Sequence, residues 1–450
     1  MIRLLRPALP VCYGSVLPRS GARRLEAGWM AKHRLATPDP VAPASARPGE
    51  GGLFAALVLY RDYRLLWVSS VLTQIAQWML QVSLGWLMLE LTNSPFWVGL
   101  NGFASGLPFL IISIPAGALI DRLDRRNLLV ACQASALSIG LTLAILATLG
   151  LARPWHLLVG AFLNGAALAV NNATRQTLVP TFVPREGLQN AIALLSAGMN
   201  VTRIVGPSLA GPLIAALGSS GALFAQVGCL AIALVNTVQI PSTRVAMPVR
   251  LPFLRNLAEG IDYVRRSSVL VGLMLLATIP TILVFPYIQL LPVYARDILD
   301  VGAGGLGLLY TAGGLGALTG SLFIAGFRRI ERKGRFILVT TFVYGLVIIV
   351  FAYSTWVPLS LVMLVLGGVL GSSYMSINNT LLHLNVSDEV RGRVMGIYML
   401  TWGFMPLGAL PMGFLGDRIG VPHAVALGAA LSSLAILALA IRIPALRALR

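Results

Sequence analysis

The chain is poor in the residues that build enzymatic and metal sites. Its 450 residues include three cysteines, four histidines and 16 acids. Cys12, Cys132 and Cys229 are widely separated, and two of them lie in apolar runs, so no disulfide framework is expected. The HExxH pattern of zinc hydrolases is missing as well. We therefore predict a protein that is not an enzyme and that binds neither a metal nor an organic cofactor.

A nucleotide-binding loop is also missing. The glycine-rich stretch GAGGLGLLYTAGGLGALTGS, at 302–321, has no GxxxxGK[ST] pattern and lies in an apolar run. Glycines in such a run are typical of membrane helices that pack closely against one another. Hydrolysis of ATP by this chain is therefore not expected.

Charged residues are scarce, and long apolar runs are frequent. Charged residues make up 11% of the chain and hydrophobic residues 57%, and the mean hydropathy is +0.81. A soluble protein has about 25% charged residues. Runs such as 128–149 contain almost no acid, base or amide, and 18 or more apolar residues in succession indicate a transmembrane helix. The sequence predicts an all-α protein that crosses the lipid bilayer many times.

Twelve apolar runs follow an N-terminal region of different composition. Residues 1–60 are rich in proline, alanine, serine and arginine, which predicts a disordered basic tail. Met30, followed by Ala-Lys-His-Arg, is a candidate for an alternative start of translation within this tail. The twelve predicted helices span residues 63–91, 96–120, 127–150, 155–180, 189–217, 221–241, 269–295, 303–327, 335–354, 357–384, 391–416 and 422–442.

The formal net charge of +18 comes from the basic tail and from basic loops between these runs. Arg153, Arg296 and Arg418 are the basic residues of one predicted side. Because basic loops stay in the cytoplasm, both termini are predicted to be cytoplasmic, and nucleic-acid binding is not expected. The basic residues of the predicted cytoplasmic side are Arg122, Arg125, Arg126, Arg185, Arg244, Arg250, Arg255, Arg265, Arg266, Arg328, Arg329, Arg332, Lys333, Arg335, Arg391, Arg393, Arg442, Arg447 and Arg450.

A weak internal repeat divides the chain into two halves. A shift of 203 residues places Gly117-Ala-Leu119 on Gly320-Ser-Leu322 and Asn164-Gly165 on Gly367-Gly368. We therefore predict two six-helix bundles joined by a polar, basic cytoplasmic linker. Parallel repeats of this kind are a known transporter plan, with the substrate site between the halves. The predicted bundles cover residues 61–241 and 269–450, and the linker covers residues 242–268.

One loop carries a recognisable motif. It lies between the second and third predicted helices and reads GALIDRLDRR, residues 117–126. It resembles the G-x-L-x-D-R-x-x-R-R signature of the major facilitator superfamily, and its matching residues include Gly117, Asp121, Arg122, Arg125 and Arg126.

Further stretches are similar to the bacterial branch that contains the enterobactin exporter and related efflux proteins. They are NNATRQTLVPTFVPREGLQNAIAL at 171–194, GPSLAGP at 206–212 and RGRVMGIYML at 391–400. The resemblance implies the major facilitator fold, in which two pseudo-symmetric bundles of six helices transport a small molecule by alternating access. It also implies a bacterial inner-membrane protein that acts as a monomer and couples transport to protons.

The resemblance implies a gating role for Asp121. A carboxylate at the cytoplasmic end of helix 2 can face the unpaired N–H groups that begin a helix, and the implied partner is helix 11, near Ser387 or Val390. The alternative is that the charged loop serves topology alone. In relatives an acid near the end of helix 4 can pair with a motif arginine, but here that acid is missing. Glu186 is the nearest candidate partner for Arg125.

Helix 5 contains an imperfect antiporter motif. Gly206, Pro207 and Gly211 resemble the G-P-x-x-G-G signature, with Ala210 in place of one glycine. In relatives this signature accompanies export, which favours efflux over the alternative of metabolite uptake. Close helix packing by small residues explains the same pattern without a role in direction.

Polar side chains on predicted helices 1, 4, 5 and 10 are candidates for a substrate cavity. Amides and charges are costly in hydrocarbon, so they face partners, a wet cavity or one another. Arg203 lies near the middle of helix 5 and binds either an anionic substrate or backbone carbonyls. The remaining candidates either line the cavity or make helix-to-helix hydrogen bonds; they are Gln74, Gln77, Gln81, Asn164, Asn171, Tyr374 and Asn378.

The sequence shows no clear residue that would carry a coupling proton. No acid lies at the centre of a predicted helix, and Glu90, near the outer end of helix 1, is the best candidate for a proton site. We predict proton-coupled efflux of a small amphipathic molecule, siderophore-like or drug-like. A membrane-embedded receptor or enzyme is the alternative from another class, but it would need a reactive cluster that the sequence does not contain.

Overall fold

The computed structural model describes residues 52, 54–242, 253–326 and 332–449, without the side chains of 113–119, 121–122, 253–257 and 402. Most of the predicted N-terminal tail and of the basic linker lies outside these residues. The last part of the predicted tail forms a short helix, Ala55–Leu59. Ala56 of this helix is buried and donates its N–H to Asn190 Oδ1 at 3.2 Å.

The described residues form helices and turns, and ten of their helical segments are long and apolar enough to cross a membrane. One of these segments, Arg185–Val238, runs for 54 residues and breaks at Gly218, where φ is 71°. We number its two arms α5 (residues 185–217) and α6 (residues 219–238). The first four helices are α1 (Arg61–Thr92), α2 (Pro95–Arg122), α3 (Arg125–Thr148) and α4 (Pro154–Phe182).

The second half repeats this arrangement after a short amphipathic helix, Phe253–Arg265. Together the halves give the twelve helices that the apolar runs predict, and the all-α fold is confirmed. The helices of the second half are α7 (Ser268–Ile298), α8 (Gly302–Gly326), α9 (Lys333–Tyr353), α10 (Val357–Asn385), α11 (Asp388–Ile419) and α12 (Val421–Arg442).

Helix α7 is regular only in its first part. An α-helix over Ser268–Leu283 is followed by a 3₁₀ turn over Phe285–Leu290 and a π-helical turn over Tyr294–Ile298. Pro286 and Pro292 lie in this irregular part and have no N–H to donate to a helical hydrogen bond. Irregular backbone at membrane depth is tolerated where it is buried in protein or lines a cavity. The apolar runs did not predict this break.

The second half has an aromatic core against the irregular part of α7. The ring centroids of Tyr294 and Phe351 are 4.6 Å apart, and those of Tyr287 and Phe351 are 5.8 Å apart. The Tyr294 hydroxyl donates to the Ala352 carbonyl, so its buried polar end is satisfied. These contacts fix α7 against α9 and hold its unwound part in place.

Candidate substrate cavity and gates

A cavity lies between the two halves, beside the unwound part of α7. It contains about 680 Å³ of space between atoms, part of which is open to solvent. Its wall from the first half is formed by Trp78 of α1 and Arg203 of α5. The second half contributes Tyr287 of α7, Tyr310 of α8 and Tyr344 of α9, together with glycines of α8 and α10. The cavity is therefore aromatic and apolar, with a single charged side chain in its wall.

Arg203 is the charged residue of this cavity. Its guanidinium carbon lies 5.7 Å from the centroid of the Trp78 ring, a cation–π distance. The ion pairs among the described residues lie elsewhere, between Arg266 and Asp262, Arg296 and Asp297, Arg391 and Asp388, and Arg393 and Glu259. Arg203 therefore faces the cavity without a carboxylate partner from the described part of the chain.

Three of the predicted cavity residues face a different, small polar pocket inside the first half. Gln77 accepts a hydrogen bond from Asn164 Nδ2 at 2.7 Å, and Asn171 lines the same pocket. Gln133 of α3 donates to Ser69 Oγ at 2.9 Å and is almost completely buried. These amides connect α1, α3 and α4 within one half. The long apolar run around Gln133 contained the signal, because a lone amide in hydrocarbon needs a partner.

The other predicted cavity residues have varied surroundings. Asn378 is fully buried and donates to the Leu273 carbonyl at 3.2 Å, so it joins α10 to α7 inside the second half. Tyr374 is 1% exposed and packs beside Tyr344, with ring centroids 6.1 Å apart, behind the cavity wall. Gln74 and Gln81 of α1 are half-buried. Arg203 alone of the predicted set lies in the wall of the central cavity.

The polar pocket provides a test that separates structural from substrate-binding residues. Replacing Asn164 with leucine leaves the Gln77 carbonyl oxygen without its donor, and such hydrogen bonds in membrane proteins contribute about 0.6 kcal/mol on average. We expect a lower melting temperature in detergent with an unchanged KM for transport. A raised KM at unchanged thermal stability would instead place Asn164 in the substrate path.

Glu90, the predicted proton site, holds the outer end of the first half together. Its carboxylate accepts from Trp86 Nε1 at 2.6 Å and from Ser219 Oγ at 2.9 Å. Ser219 directly follows the Gly218 break, so Glu90 joins the end of α1 to the turn between α5 and α6. We use "outer end" for the end of the bundle that carries Glu90, Arg296 and Asp417, following the predicted topology.

Two pairs of glycines bring the backbones of the two halves into contact near the outer end. A Cβ added at Gly211 of α5 would lie 2.8 Å from Gly307 Cα of α8, and one at Gly99 of α2 would lie 2.9 Å from Gly413 Cα of α11. The antiporter-like motif thus supplies one of the two crossings. Gly206 faces Trp78 of α1 instead, and the Pro207 carbonyl lies beside Gly307.

Charged side chains from the second half cap two helix ends of the first half at the same end. Asp417 of α11 accepts from Ser94 Oγ at 2.7 Å and from the Phe96 N–H at 3.2 Å, at the start of α2. Arg296 of α7 donates to the Leu89 carbonyl at 3.0 Å, in the last turn of α1. Each charge matches the helix dipole, since helix N-termini attract anions and C-termini attract cations.

At the opposite end Arg125 and Arg126 of the charged loop bind backbone carbonyls of neighbouring helices. Arg125 is buried and donates to the Thr177 carbonyl of α4 at 3.3 Å. Arg126 donates to the Val238 carbonyl at the end of α6 at 2.5 Å. The expected acid partner for Arg125, Glu186, is therefore replaced by a backbone carbonyl. The sequence could not single out this carbonyl, because every residue carries a backbone carbonyl.

Asp124 of this loop caps the N-terminus of α3. Its carboxylate accepts from the Asn127 N–H at 3.0 Å and from the Ser242 hydroxyl. The predicted latch itself, the side chain of Asp121, lies outside the described side chains, as do Gly117 and Arg122. The backbone of all three belongs to α2.

Solved structures support the fold. A POT family transporter in complex with 5-aminolevulinic acid superposes with a TM-score of 0.71 at 12% identity, over 88% of this chain and 98% of the other. The nucleoside transporter NupG superposes with a TM-score of 0.67 at 15% identity, over 84% and 98%. At these identities the likeness concerns the fold.

Curated relatives match most of the chain. The Staphyloferrin A transporter of Staphylococcus aureus is 24% identical over 359 residues, which are 78% of this chain and 89% of the relative. The multidrug efflux pump Tap of Mycolicibacterium fortuitum is 28% identical over 393 residues, 82% and 92%. The macrolide efflux protein A of Streptococcus pyogenes is 23% identical over 387 residues, 81% and 92%.

The family model described as transmembrane secretion effector matches residues 54–449, which include all twelve helices and both walls of the central cavity. With the helix count, the two halves and the motif between α2 and α3, this match confirms the resemblance read from the sequence. The chain is a member of the transmembrane secretion effector family of the major facilitator superfamily.

Proposed function

We propose that the protein is a secondary active exporter that moves a small amphipathic molecule, siderophore-like or drug-like, out of a bacterial cell. The observation that carries this proposal is the aromatic cavity between the two halves, with Arg203 and Trp78 in its wall. Efflux is the activity named for the multidrug and macrolide relatives. Each chain contains both cavity walls, which supports action as a monomer.

In this proposal the outer end and the inner end of the cavity close in turn. The glycine crossings and the contacts of Asp417 and Arg296 close the outer end, and the cavity then loads from the cytoplasm. Opening of the outer end breaks these contacts, and Asp121 then binds the start of α11 and closes the inner end. A contact of this kind contributes about 0.3–2 kcal/mol, which biases a two-state equilibrium without fixing it.

Inward proton flow is the energy source that we propose, with both termini on the cytoplasmic side of the inner membrane. Glu90 is the acid that we assign to proton exchange at the outer end, because its side chain is exposed there and its carboxylate accepts hydrogen bonds from Trp86 and Ser219. The arginine-rich loops between the helices support this orientation.

Everted membrane vesicles test direction and coupling together. We expect vesicles that contain the protein to accumulate fluorescent amphipathic drugs when the interior is acidified. A protonophore is expected to abolish the accumulation, and vesicles without the protein provide the background. Accumulation in intact cells instead would contradict export, and accumulation that survives the protonophore would contradict proton coupling.

A further inference from the structure

The central cavity contains one full charge and no compensating charge from its described lining residues. Arg203 is the one described lining residue that is charged at neutral pH, and the other lining residues are mainly aromatic or aliphatic residues and glycines. A charge within the bilayer is costly unless it meets an opposite charge or backbone carbonyls. The described ion pairs lie near helix ends and loops and do not involve Arg203.

The position of the guanidinium group leaves it available to a ligand. It is held over the Trp78 ring, with its guanidinium carbon 5.7 Å from the ring centroid, and Tyr287 of the cavity wall is close enough to interact with it electrostatically. A planar guanidinium with free N–H groups matches a carboxylate, which it can bind through two parallel hydrogen bonds. The missing counter-ion is therefore an anion that enters the cavity.

The surrounding wall selects the rest of the ligand. The rings of Tyr287, Tyr310 and Tyr344 line the cavity with Trp78, and the Tyr310 hydroxyl is already bound to the Ile288 carbonyl at 2.9 Å. Gly313, with no atom within 4 Å of an added Cβ, leaves open space in the wall. An inorganic anion would contact the guanidinium but not the aromatic rings of the wall. A flat apolar body beside the anionic group packs against these rings.

We propose that Arg203 is an anion subsite and that the substrate is an organic carboxylate whose charged group lies next to an aromatic or other flat apolar body. This inference rests on the proposed efflux function and adds the substrate's charge to it. Neutral molecules and cations of the same shape bind more weakly, because they leave the guanidinium without a counter-ion.

A matched pair of probes tests the charge without altering the protein. The purified full chain in lipid nanodiscs is titrated with radiolabelled 2-naphthoate and with 2-naphthamide, which has the same ring and no charge. We expect naphthoate to bind at least about 10-fold more tightly, which corresponds to about 1.4 kcal/mol. Equal affinities, tighter binding of the amide, or no saturable binding of naphthoate would overturn the proposal.

Variants assign the preference to Arg203. Arg203→Gln is expected to remove the difference between the two probes by weakening naphthoate alone, and Arg203→Lys is expected to retain part of it. Arg266→Gln removes one positive charge at an exposed position and serves as the control. A preference for naphthoate that persists in Arg203→Gln would place the anion elsewhere. If Arg203→Gln does not fold, the affinities of the two probes for Arg203→Lys and for the unmodified protein still test the proposal.

Transport separates this inference from the function on which it rests. In the everted vesicles, export of cationic or neutral drugs without export of naphthoate would overturn the anion subsite and leave the efflux function intact. Failure to accumulate any member of the panel would contradict the efflux function itself. Chloride in excess over naphthoate should compete weakly, and strong competition by chloride alone would overturn the organic carboxylate in favour of an inorganic anion.

Discussion

Replacing Gly211 with valine is expected to abolish most transport while the protein remains inserted in the membrane. The added side chain would begin 2.8 Å from the Ala303 carbonyl oxygen and from Gly307 Cα, both of them backbone atoms that cannot rotate away. Overpacking of this kind costs about 1–3 kcal/mol. Because the cost applies only when the outer end is closed, it shifts a two-state equilibrium roughly 5- to 150-fold towards the open form.

The crossing of α2 with α11 provides an independent replicate. Gly99→Val places its side chain 2.6 Å from the Ala409 carbonyl oxygen and should have the same effect as Gly211→Val. Gly228→Val is the matched control, since an added Cβ at Gly228 of α6 meets nothing within 4 Å. Normal transport by both gate variants would show that the crossings are packing contacts without a role in gating.

Accessibility of an introduced cysteine measures the gate directly. Gln289 lies between the halves, where its side chain approaches Gly102 of α2. Gln289→Cys, in a chain whose three native cysteines are replaced by serine, should react slowly with an impermeant thiol reagent added from outside. In the valine variants we expect fast modification of the thiol at this position. Slow modification in all variants would mean that the outer end stays closed.

Replacing Asp121 with asparagine is expected to lower transport by roughly 2- to 30-fold, the range given by losing a helix-end contact of about 0.3–2 kcal/mol. The carboxylate is the element of the charged loop that topology does not require, because positive charge alone orients the helices. Its loss should weaken closure of the inner end and leave folding and insertion unchanged. Transport assays in proteoliposomes and the melting temperature in detergent measure both effects.

Asp417→Asn is the counterpart at the other end. It weakens the contacts with Ser94 Oγ and the Phe96 N–H, so it should open the outer end. In the Gln289→Cys background, the two substitutions therefore move the accessibility of the introduced thiol in opposite directions. Reduced transport in Asp121→Asn with no change in either accessibility or stability would contradict a gating role and point to a different step.

The apolar runs predicted the helices well because twenty or so apolar residues in succession leave the backbone few other ways to satisfy its polar groups in lipid. They did not predict that α7 unwinds after Val284, because hydropathy does not register the missing N–H groups of Pro286 and Pro292. Arg296 was predicted only as a loop charge, and the sequence gives Asp417 no distinguishing pattern. Ser94 and Pro95 do mark the start of α2, but which charge of the other half binds there depends on how the two halves pack.

The candidate site was predicted unevenly for a related reason. A polar residue in an apolar helix indicates that a partner exists, and the sequence cannot say whether that partner is a ligand or a neighbouring helix. Gln77 and Asn164 bind each other within one half, whereas Arg203 faces the space between the halves. The aromatic wall was largely missed, because tyrosines such as Tyr287 and Tyr310 do not interrupt an apolar run.

The unpaired charge of Arg203 also makes the proposed cycle respond to voltage. With the outer end closed, the cavity is at the potential of the cytoplasm, and with the inner end closed it is at the potential outside. One elementary charge that crosses the whole membrane field changes energy by about 2.3 kcal/mol per 100 mV. A negative interior therefore draws the empty carrier back to the state that faces the cytoplasm, whereas a bound carboxylate cancels the charge and lets the loaded carrier move outward without opposing the field.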